Sequence, residues 1–423
     1  MEKQNLYFDK FAMIPEKVKF MIFLGYGLIS IVFGLIMDTP QEILSGLFRI
    51  ITEPDLLLSD YIGVGGLGAS FVNSGLLTVI CILLLYWLKT PVNGIAIAAI
   101  FLVAGFAFLG KNIFNIWIII LGVFAYARYQ GDSFKEYIYV ALLSTSLSPL
   151  ATYFIFTLDQ PLIIRIIAGL FVGFGIGFIM PPFASYLLRV HQGFNLYNVG
   201  FTAGVFGTVF VSLMRSYGFE ISTRFIWSTG NNFVLSLYLF VVFSSMIIIG
   251  FFLNKRSFKG LLAIYDYAGR LVSDFIILEG FAPSLINMGI NGLAATAYVL
   301  LVKGQLNGAS LAGILTIAGF GAFGKHLKNI VPIFVGVILG GLTKMWSIND
   351  PAAILAGLFG TTLAPIGGKF GWHYGILAGF IHSSVVHNVG YLHGGFNLYN
   401  NGFAGGIVAT TLIPIIEHFR EEG

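Results

Sequence analysis

Long apolar segments, separated by short polar stretches, follow one another along almost the whole sequence. A helix that crosses a bilayer needs about 20 mostly apolar residues, and such segments recur from residue 20 to residue 416. Only 10% of the 423 residues are charged, whereas soluble domains carry about 25%. The apolar runs are continuous rather than alternating, which argues against a transmembrane β-barrel. The sequence therefore predicts an all-α polytopic membrane protein whose surroundings are the lipid bilayer.

Fourteen apolar segments can be delimited, and they fall into two sets of seven. The first set covers 20–37, 61–88, 92–110, 113–127, 136–157, 163–188 and 199–214, and the second covers 233–253, 275–302, 307–323, 329–345, 351–366, 371–389 and 400–416. The segment 61–88 is too long for one straight span, and several others are short or broken by glycine. We therefore expect interrupted or re-entrant helices.

The polar stretches define the expected domains and orientation. The domains are an N-terminal cytoplasmic leader (1–19), a first transmembrane repeat (20–215), a linker (216–232), a second repeat (233–417) and a C-terminal tail (418–423). With 14 crossings, 16 lysine and arginine residues fall on the cytoplasmic side and 7 on the other, in agreement with the positive-inside rule. This predicts a multi-pass protein of the inner (cytoplasmic) membrane with both termini in the cytoplasm.

Matching residues in the two halves indicate an internal repeat. A shift of 214 positions aligns Ser59-Asp60 with Ser273-Asp274, Ser70 with Ser284, and Asn73 with Asn287; a shift of 216 aligns Thr145 and Pro149 with Thr361 and Pro365; a shift of 202 aligns the HxGFNLYN motif at His191 with that at His393. The threonine–proline pairs are predicted helix breaks. An odd number of crossings per copy gives the second copy the opposite orientation. Lysines precede segment 20–37 but follow its copy, 233–253. This difference agrees with the opposite orientation of the two copies. Inverted repeats are typical of alternating-access transporters and of some symmetric channels.

Polar residues shared by both copies are the candidate solute-binding residues, because inverted repeats bring matching motifs together near the bilayer midplane. Amides, phenols and hydroxyls can bind a polar solute without a fixed charge. The candidates are Ser70, Asn73, Asn195, Tyr197, Asn198, Ser284, Asn287, Asn397, Tyr399 and Asn400. The alternative for the HxGFNLYN motif is a helix cap with an interfacial belt, and the alternative for Asn73 and Asn287 is hydrogen bonding between helices.

Asp60 and Asp274 are the candidate ion-coupling residues. A carboxylate inside a membrane segment costs about 2.5–3.5 kcal/mol on insertion scales, so each is a candidate for binding Na⁺ or carrying a proton. Each also stands at the start of its segment. A serine–aspartate helix cap explains both positions equally well.

Lys111 and Lys325 end two GxxxxGK sequences, 105–111 and 319–325. The next residues are Asn112 and His326 rather than the Ser or Thr of a P-loop, and the context is an apolar helix, so we reject a nucleotide site. We expect the lysines to be loop anchors or anion contacts at a helix end. A single cysteine and poorly spaced histidines predict neither metal nor cofactor.

The duplicated GFNLYN motif (193–198 and 395–400) resembles an uncharacterised family of bacterial polytopic membrane proteins, a resemblance that implies no substrate. The chain is also weakly similar to the urea-channel family, which has two inverted repeats with Asn-Pro and Asn-Gly elements. That similarity is carried by 73–76, 91–94 and 144–149. Proline is missing after Asn73 and each half is longer than in that family, so no functional residue is transferred from it.

These observations predict a secondary transporter of a small polar solute, coupled to Na⁺ or H⁺, with its site between the inverted repeats. The first alternative is a channel-like facilitator for a small neutral solute such as urea, since few charges fall in mid-membrane. The second is a non-transporting membrane scaffold or complex subunit. We expect no enzymatic activity, because no duplicated acid–base pair is visible, and no nucleic-acid partner. Glycine-rich helices permit a homo-oligomer.

Overall fold

The computed structural model of the protein describes residues 14–54, 58–221 and 224–421. It is 75% helix, with no strand in those ranges, which confirms the all-α prediction. The helices are α1 (Glu16–Met37), α2 (Pro40–Thr52), α3 (Tyr61–Gly65), α4 (Leu67–Trp87), α5 (Gly94–Phe106), α6 (Trp117–Gln130), α7 (Phe134–Ser144), α8 (Ser148–Phe156), α9 (Leu162–Val190), α10 (Asn198–Ser216), α11 (Asn232–Leu253), α12 (Leu261–Ile264), α13 (Phe275–Glu279), α14 (Phe281–Leu301), α15 (Gly308–Gly319), α16 (Leu327–Thr343), α17 (Pro351–Gly360), α18 (Ala364–Phe370), α19 (Trp372–Val389) and α20 (Asn400–Glu421).

The ends of the chain only partly fall within the described residues. Residues 1–13 of the expected leader and 422–423 of the expected tail lie outside them, as do 222–223 of the linker. Helix α1 already begins at Glu16 and α20 continues to Glu421, so both helices extend into segments that we expected to be polar extensions.

Helix interruptions occur at matching places in the two halves. Gly66, between α3 and α4, and Gly280, between α13 and α14, have φ angles of 93° and 95°, a conformation that glycine adopts without a steric penalty. A 3₁₀ turn separates α7 from α8 at Thr145–Leu147, and another separates α17 from α18 at Thr361–Leu363. The predicted helix breaks are therefore confirmed.

Helix packing is also matched between the halves. Helix α1 lies along α4, as α11 lies along α14, and α6 lies along α9, as α16 lies along α19. The last two pairs meet at glycines, Gly122 with Gly177 and Gly336 with Gly379, where the facing backbone leaves no space for a side chain. Such close approach through small residues is how helices associate inside a membrane.

Two short helices, α5 and α15, form the contact between the halves, together with α10 and α20. Gly94 at the start of α5 lies next to Ala322 beyond the end of α15, and Gly308 at the start of α15 lies next to Phe108 beyond the end of α5. The two matching helices are therefore antiparallel. With 13 and 12 residues they are about 20 Å long, too short to span a bilayer, and they are buried in the protein.

Nine helices within the described ranges are long and apolar enough to cross a membrane, counting α7–α8 and α17–α18 as one helix each. These are the helices of a multi-pass membrane protein. The other five predicted segments correspond to α5, α6, α15 and α16, which are shorter, and to α19, which is less apolar.

Helix α2 was missed by the sequence analysis because it is amphipathic rather than uniformly apolar. Thr39 and Glu42 form a capping box at its start. The helix buries Ile43 and Ile50 and exposes Leu44 and Phe48, the pattern of a helix that lies along a membrane surface.

Candidate functional site

Two lysines, one from each half, lie fully buried between the halves. Lys111 follows α5 and Lys325 follows α15, and both have 0% exposure. The sequence analysis placed both in loops between membrane segments. Both do follow a short helix in a loop, and they are buried because the chain turns back into the protein there. When these two lysines are left out, 15 lysine and arginine residues remain on the predicted cytoplasmic side and 6 on the other side, so the positive-inside bias is kept.

Lys325 makes complete contacts in what we call the second lysine pocket, formed by Lys325, Tyr197, Phe320 and Thr361. Its Nζ donates hydrogen bonds to the Tyr197 hydroxyl and to Thr361 Oγ1, the latter at 2.7 Å. The same nitrogen lies 4.5 Å from the centre of the Tyr197 ring and 5.2 Å from that of Phe320, within cation–π range. The lysine and the tyrosine come from different halves of the chain.

The matching first lysine pocket, formed by Lys111, Tyr399, Phe106 and Thr145, has looser contacts. Among the described residues, Lys111 Nζ donates only to the carbonyl oxygen of Leu142, at 3.4 Å. It lies 5.6 Å and 5.7 Å from the Phe106 and Tyr399 ring centres. The buried Tyr399 hydroxyl has no hydrogen-bond partner among the described residues. The rings of Tyr197 and Tyr399 are 6.1 Å apart and so connect the two pockets.

Acidic residues do not neutralise these lysines. The ion pairs found in the described ranges join Lys19 to Glu16, Arg224 to Glu53 and Lys328 to Asp266. The oxygen atoms around Lys111 and Lys325 are hydroxyls and a carbonyl, which are neutral. The site thus contains two buried amino groups that have no counter-charge among the described residues.

A cavity of about 150 Å³ reaches this cluster from one side. Tyr197, Tyr399 and Phe320 line its inner end, and Leu143 of α7 lines its wall. On the matching side, the residue that corresponds to Leu143 is Phe359. Its ring lies 5.5 Å from Phe106, which in turn lies 4.4 Å from Tyr399. A buried aromatic ring, Phe359, therefore occupies the position that half-buried Leu143 has on the first side.

Asn73 and Asn287 hold the turns that carry the lysines. Asn73 Nδ2 donates to the carbonyl oxygens of Ala107 (2.7 Å) and Lys111 (2.9 Å). Asn287 Nδ2 makes the matching bonds to Gly321 (2.7 Å) and Lys325 (2.8 Å). These amides therefore position the lysine backbone, and Asn291, which also donates to the Lys325 carbonyl (2.9 Å), adds a contact in the second half only.

The amides of the two HxGFNLYN motifs hold the halves and the motif itself together. Asn195 Nδ2 donates to the Gly402 carbonyl (3.0 Å), and Asn397 Nδ2 donates to the Gly200 carbonyl (3.1 Å). Asn198 and Asn400 each bond through Oδ1 to the Nε2 of the motif's own histidine, both at 2.9 Å. Tyr197 and Tyr399 are thus the motif residues that reach the lysines.

The remaining predicted residues lie away from the cluster. The hydroxyls of Ser70 and Ser284 donate to carbonyls one turn back in the chain, at 2.7 Å and 2.8 Å. Asp60 caps α3 through the Ile62 N–H and accepts the Gly308 N–H at the start of α15. Asp274 likewise caps α13 and accepts the Gly94 N–H at the start of α5. Each aspartate therefore caps one helix in each half, the alternative that the sequence left open, and ion coupling stays a prediction.

Sequence reasoning underrated the lysines, named Thr361 only as a helix break, and missed the two phenylalanines of the pockets. The available signal was the repetition of Phe106 and Lys111 as Phe320 and Lys325. A lysine repeated at the same place within apolar sequence is itself a sign of a site, because buried charges are costly in a membrane.

The profile of a family described as "Protein of unknown function (DUF1576)" matches the chain over residues 39–216 and 253–418. Each matched range begins near the end of the first helix of its half, α1 or α11, and ends in the last, α10 or α20. No curated protein and no solved structure matches the chain. The similarity to the urea-channel family therefore stays a prediction.

Proposed function

We propose that this chain, which belongs to the DUF1576 family of proteins of unknown function, transports a small polar solute across a membrane. Its two halves would be inverted repeats, and the solute would bind between them at the cluster of Lys111, Lys325, Tyr197 and Tyr399. The protein would act as a secondary transporter that opens this cluster to one side of the membrane at a time.

The inverted orientation is supported by the antiparallel contact of α5 and α15. Two helices that occupy the same place in the two halves, and that run in opposite directions side by side, are expected when the halves are related by an axis in the membrane plane. The distribution of lysine and arginine supports the same arrangement, with both termini in the cytoplasm.

Alternating access rests on one observation above all. The cavity reaches Tyr197 and Tyr399 from the side of Leu143, while Phe359 and Phe106 fill the matching side. In a protein with two inverted halves, exchanging the conformations of the halves would open the Phe359 side and close the Leu143 side. Lys111 would then take the Tyr399 and Thr145 hydroxyls as partners, as Lys325 now takes those of Tyr197 and Thr361.

A channel-like facilitator is the alternative, and it requires a path that is open to both sides at once. The packed aromatic rings of Phe106, Phe359 and Tyr399 favour the transporter. Coupling to Na⁺ or H⁺ at Asp60 or Asp274 stays part of the proposal, although it would require these carboxylates to exchange backbone N–H donors for an ion or a proton.

Cysteine accessibility tests the proposal without knowledge of the solute. In a Cys81→Ala background, which removes the single native and buried cysteine, Leu143→Cys and Phe359→Cys are made separately in membrane vesicles of known orientation. A membrane-impermeant maleimide should label the two cysteines from opposite sides of the membrane. Ile314→Cys, at a position with 0% exposure in α15, is the control and should stay unlabelled.

The competing functions give different labelling patterns. Labelling of each cysteine from both sides would indicate a channel. Labelling of Leu143→Cys alone, with Phe359→Cys protected under all conditions, would indicate a rigid protein and contradict transport by alternating access.

A further inference from the structure

We infer that the solute is a small anion that binds between the ammonium group of Lys111 and the hydroxyl of Tyr399. This inference rests on the proposed function, and it specifies the chemical class of the solute. Three independent properties of the cluster carry it: its charge, its unfilled hydrogen-bonding capacity and its size.

A negative partner would favour the protonated form of the two lysines, because burial alone favours the neutral amine. An ammonium group that is removed from water loses far more solvation energy than neutral hydroxyls return, unless an opposite charge lies close to it. Lys111 and Lys325 have 0% exposure. The buried acids Asp60 and Asp274 are already engaged by backbone N–H groups at helix starts. An anion arriving through the cavity would supply the missing counter-charge.

The first lysine pocket has hydrogen-bonding capacity that a ligand can use. A lysine ammonium has three donors, yet Lys111 Nζ makes one long bond, of 3.4 Å, to a carbonyl oxygen. The neighbouring Tyr399 hydroxyl is buried and unpaired within the described part of the chain. The same two groups in the second lysine pocket, Lys325 and Tyr197, are bonded to each other. An anion between Lys111 and Tyr399 would accept a hydrogen bond from both.

The cavity beside the cluster limits the size and shape of an anion that reaches Tyr399; Tyr399 lines this cavity, and Lys111 is not among the lining residues. A volume of about 150 Å³ holds a molecule of about six heavy atoms, such as benzene. Its walls are mostly apolar, with Ala98, Ala99 and Leu102 of α5 among them. Lysine acts as a point charge rather than as a flat fork for two oxygens. These properties fit a small anion, either a short carboxylate or an inorganic anion.

The test measures thermal unfolding of the purified full chain in detergent with chloride, nitrate, sulfate, phosphate, formate or acetate as sodium salts. Ionic strength is held constant with sodium gluconate, which is too large for the cavity. At least one of the small anions should raise the unfolding temperature in a saturable manner, because a ligand that binds the folded state stabilises it. The identity of the stabilising anions shows whether the site prefers carboxylates or inorganic anions.

Three variants connect the response to the pocket. Lys111→Met should weaken the apparent affinity at least about tenfold, as expected when a charged hydrogen-bond donor is lost. Tyr399→Phe keeps the ring and should also weaken it at least about tenfold, because the lost hydrogen bond is one to a charged acceptor. Lys344→Met is the matched control, because the Lys344 ammonium bonds to Phe380 and Ser383 outside the cluster. It should respond like the unmodified protein.

The results separate this inference from the proposed function. If no anion of the series stabilises the unmodified protein, or if the response is unchanged in Tyr399→Phe and Lys111→Met, the anion site is wrong. The unmodified protein and Tyr399→Phe still decide the matter if Lys111→Met does not fold. Opposite-side labelling of the two cysteines without an anion response would leave transport standing and remove the anion. A clear anion response with labelling from one side only would leave the anion site standing and contradict transport by alternating access.

Discussion

The two lysine pockets contain the same kinds of side chain in two different arrangements. In the second pocket, Lys325 bonds to the hydroxyls of Tyr197 and Thr361. In the first, Lys111 reaches only a carbonyl oxygen, and the Tyr399 hydroxyl is left without a partner in the described ranges. Because the groups are matched, an arrangement with the roles of the pockets reversed can make equivalent contacts. In the proposed function, the two pockets would exchange these arrangements between two conformations of the same chain.

The difference extends to the loops that hold the tyrosines. Thr362 donates to Asn195 Oδ1 (2.5 Å) and accepts from the Tyr197 N–H (3.0 Å), so it ties the second half to the motif of the first. Its counterpart, Ser146, is buried with an unpartnered hydroxyl among the described residues. The backbone contacts are nevertheless matched, since Leu196 donates to Thr362 O and Leu398 to Ser146 O. Side chains rather than the backbone distinguish the two sides.

Removing the aspartate caps should have the largest effect on stability. Asp60→Ala would leave the N–H groups of Ile62, Gly308 and Ser228 without their acceptor, and Asp274→Ala would do the same for those of Ile276, Ile277 and Gly94. Because buried donors that lose their partners cost about 1–3 kcal/mol each, we expect each variant to lose at least about 3 kcal/mol of unfolding free energy. Reversible unfolding in mixed detergent micelles measures this loss.

The matched controls are Asp60→Asn and Asp274→Asn, which keep one acceptor oxygen and should lose less stability than the alanine variants. Asp60 also accepts the Ser228 hydroxyl, so its substitution should cost more than that of Asp274. The capping role would be contradicted by an alanine variant that has normal stability but whose transport no longer depends on Na⁺ or on a proton gradient. That result would favour ion coupling.

The second prediction addresses the pockets directly. Tyr197→Phe removes an acceptor from the buried Lys325 and should cost about 1.5–3 kcal/mol, the range for hydrogen bonds that involve charged groups. Tyr399→Phe removes a hydroxyl that has no partner in the described structure, and it should change stability by less than about 0.5 kcal/mol. The unfolding free energies of the two variants, measured side by side without added anion, give the comparison. Equal losses would show that the two pockets are equivalent in solution.

Much of the fold could be read from the sequence, because its signals are local or repeated. Apolar length predicted most helices, the paired Thr145 and Thr361 marked the helix interruptions, and Asp60 and Asp274 fell at helix starts. The burial of Lys111 and Lys325 could not be predicted in the same way, because the positive-inside rule assigns every lysine between apolar segments to the membrane surface.

The pairing of each lysine with a tyrosine of the other half depends on tertiary structure alone. Lys325 and Tyr197 are 128 positions apart in the chain, and no periodicity connects them. The asymmetry of the pockets is even harder to predict from the sequence. Both copies carry the lysine and the tyrosine, but the open side has Leu143 and Ser146 where the other side has Phe359 and Thr362, and their effect on the pockets depends on packing that the sequence does not show.

The smallest expected effect compares Thr362 with Ser146 and tests whether the asymmetry persists in solution. Thr362→Val keeps the shape of the side chain but removes the bonds to Asn195 and Tyr197. A loss of about 1–2 kcal/mol is expected, since the buried partners lose a donor and an acceptor. Ser146→Ala removes a hydroxyl without a partner in the described ranges and should cost less than about 0.5 kcal/mol. If the protein in solution instead spends equal time with either side open, each hydroxyl is bonded for half of the time and the two losses converge. Repeating the unfolding measurement with the maleimide attached at Leu143→Cys, which would hold the cavity side open, should then separate the two values again.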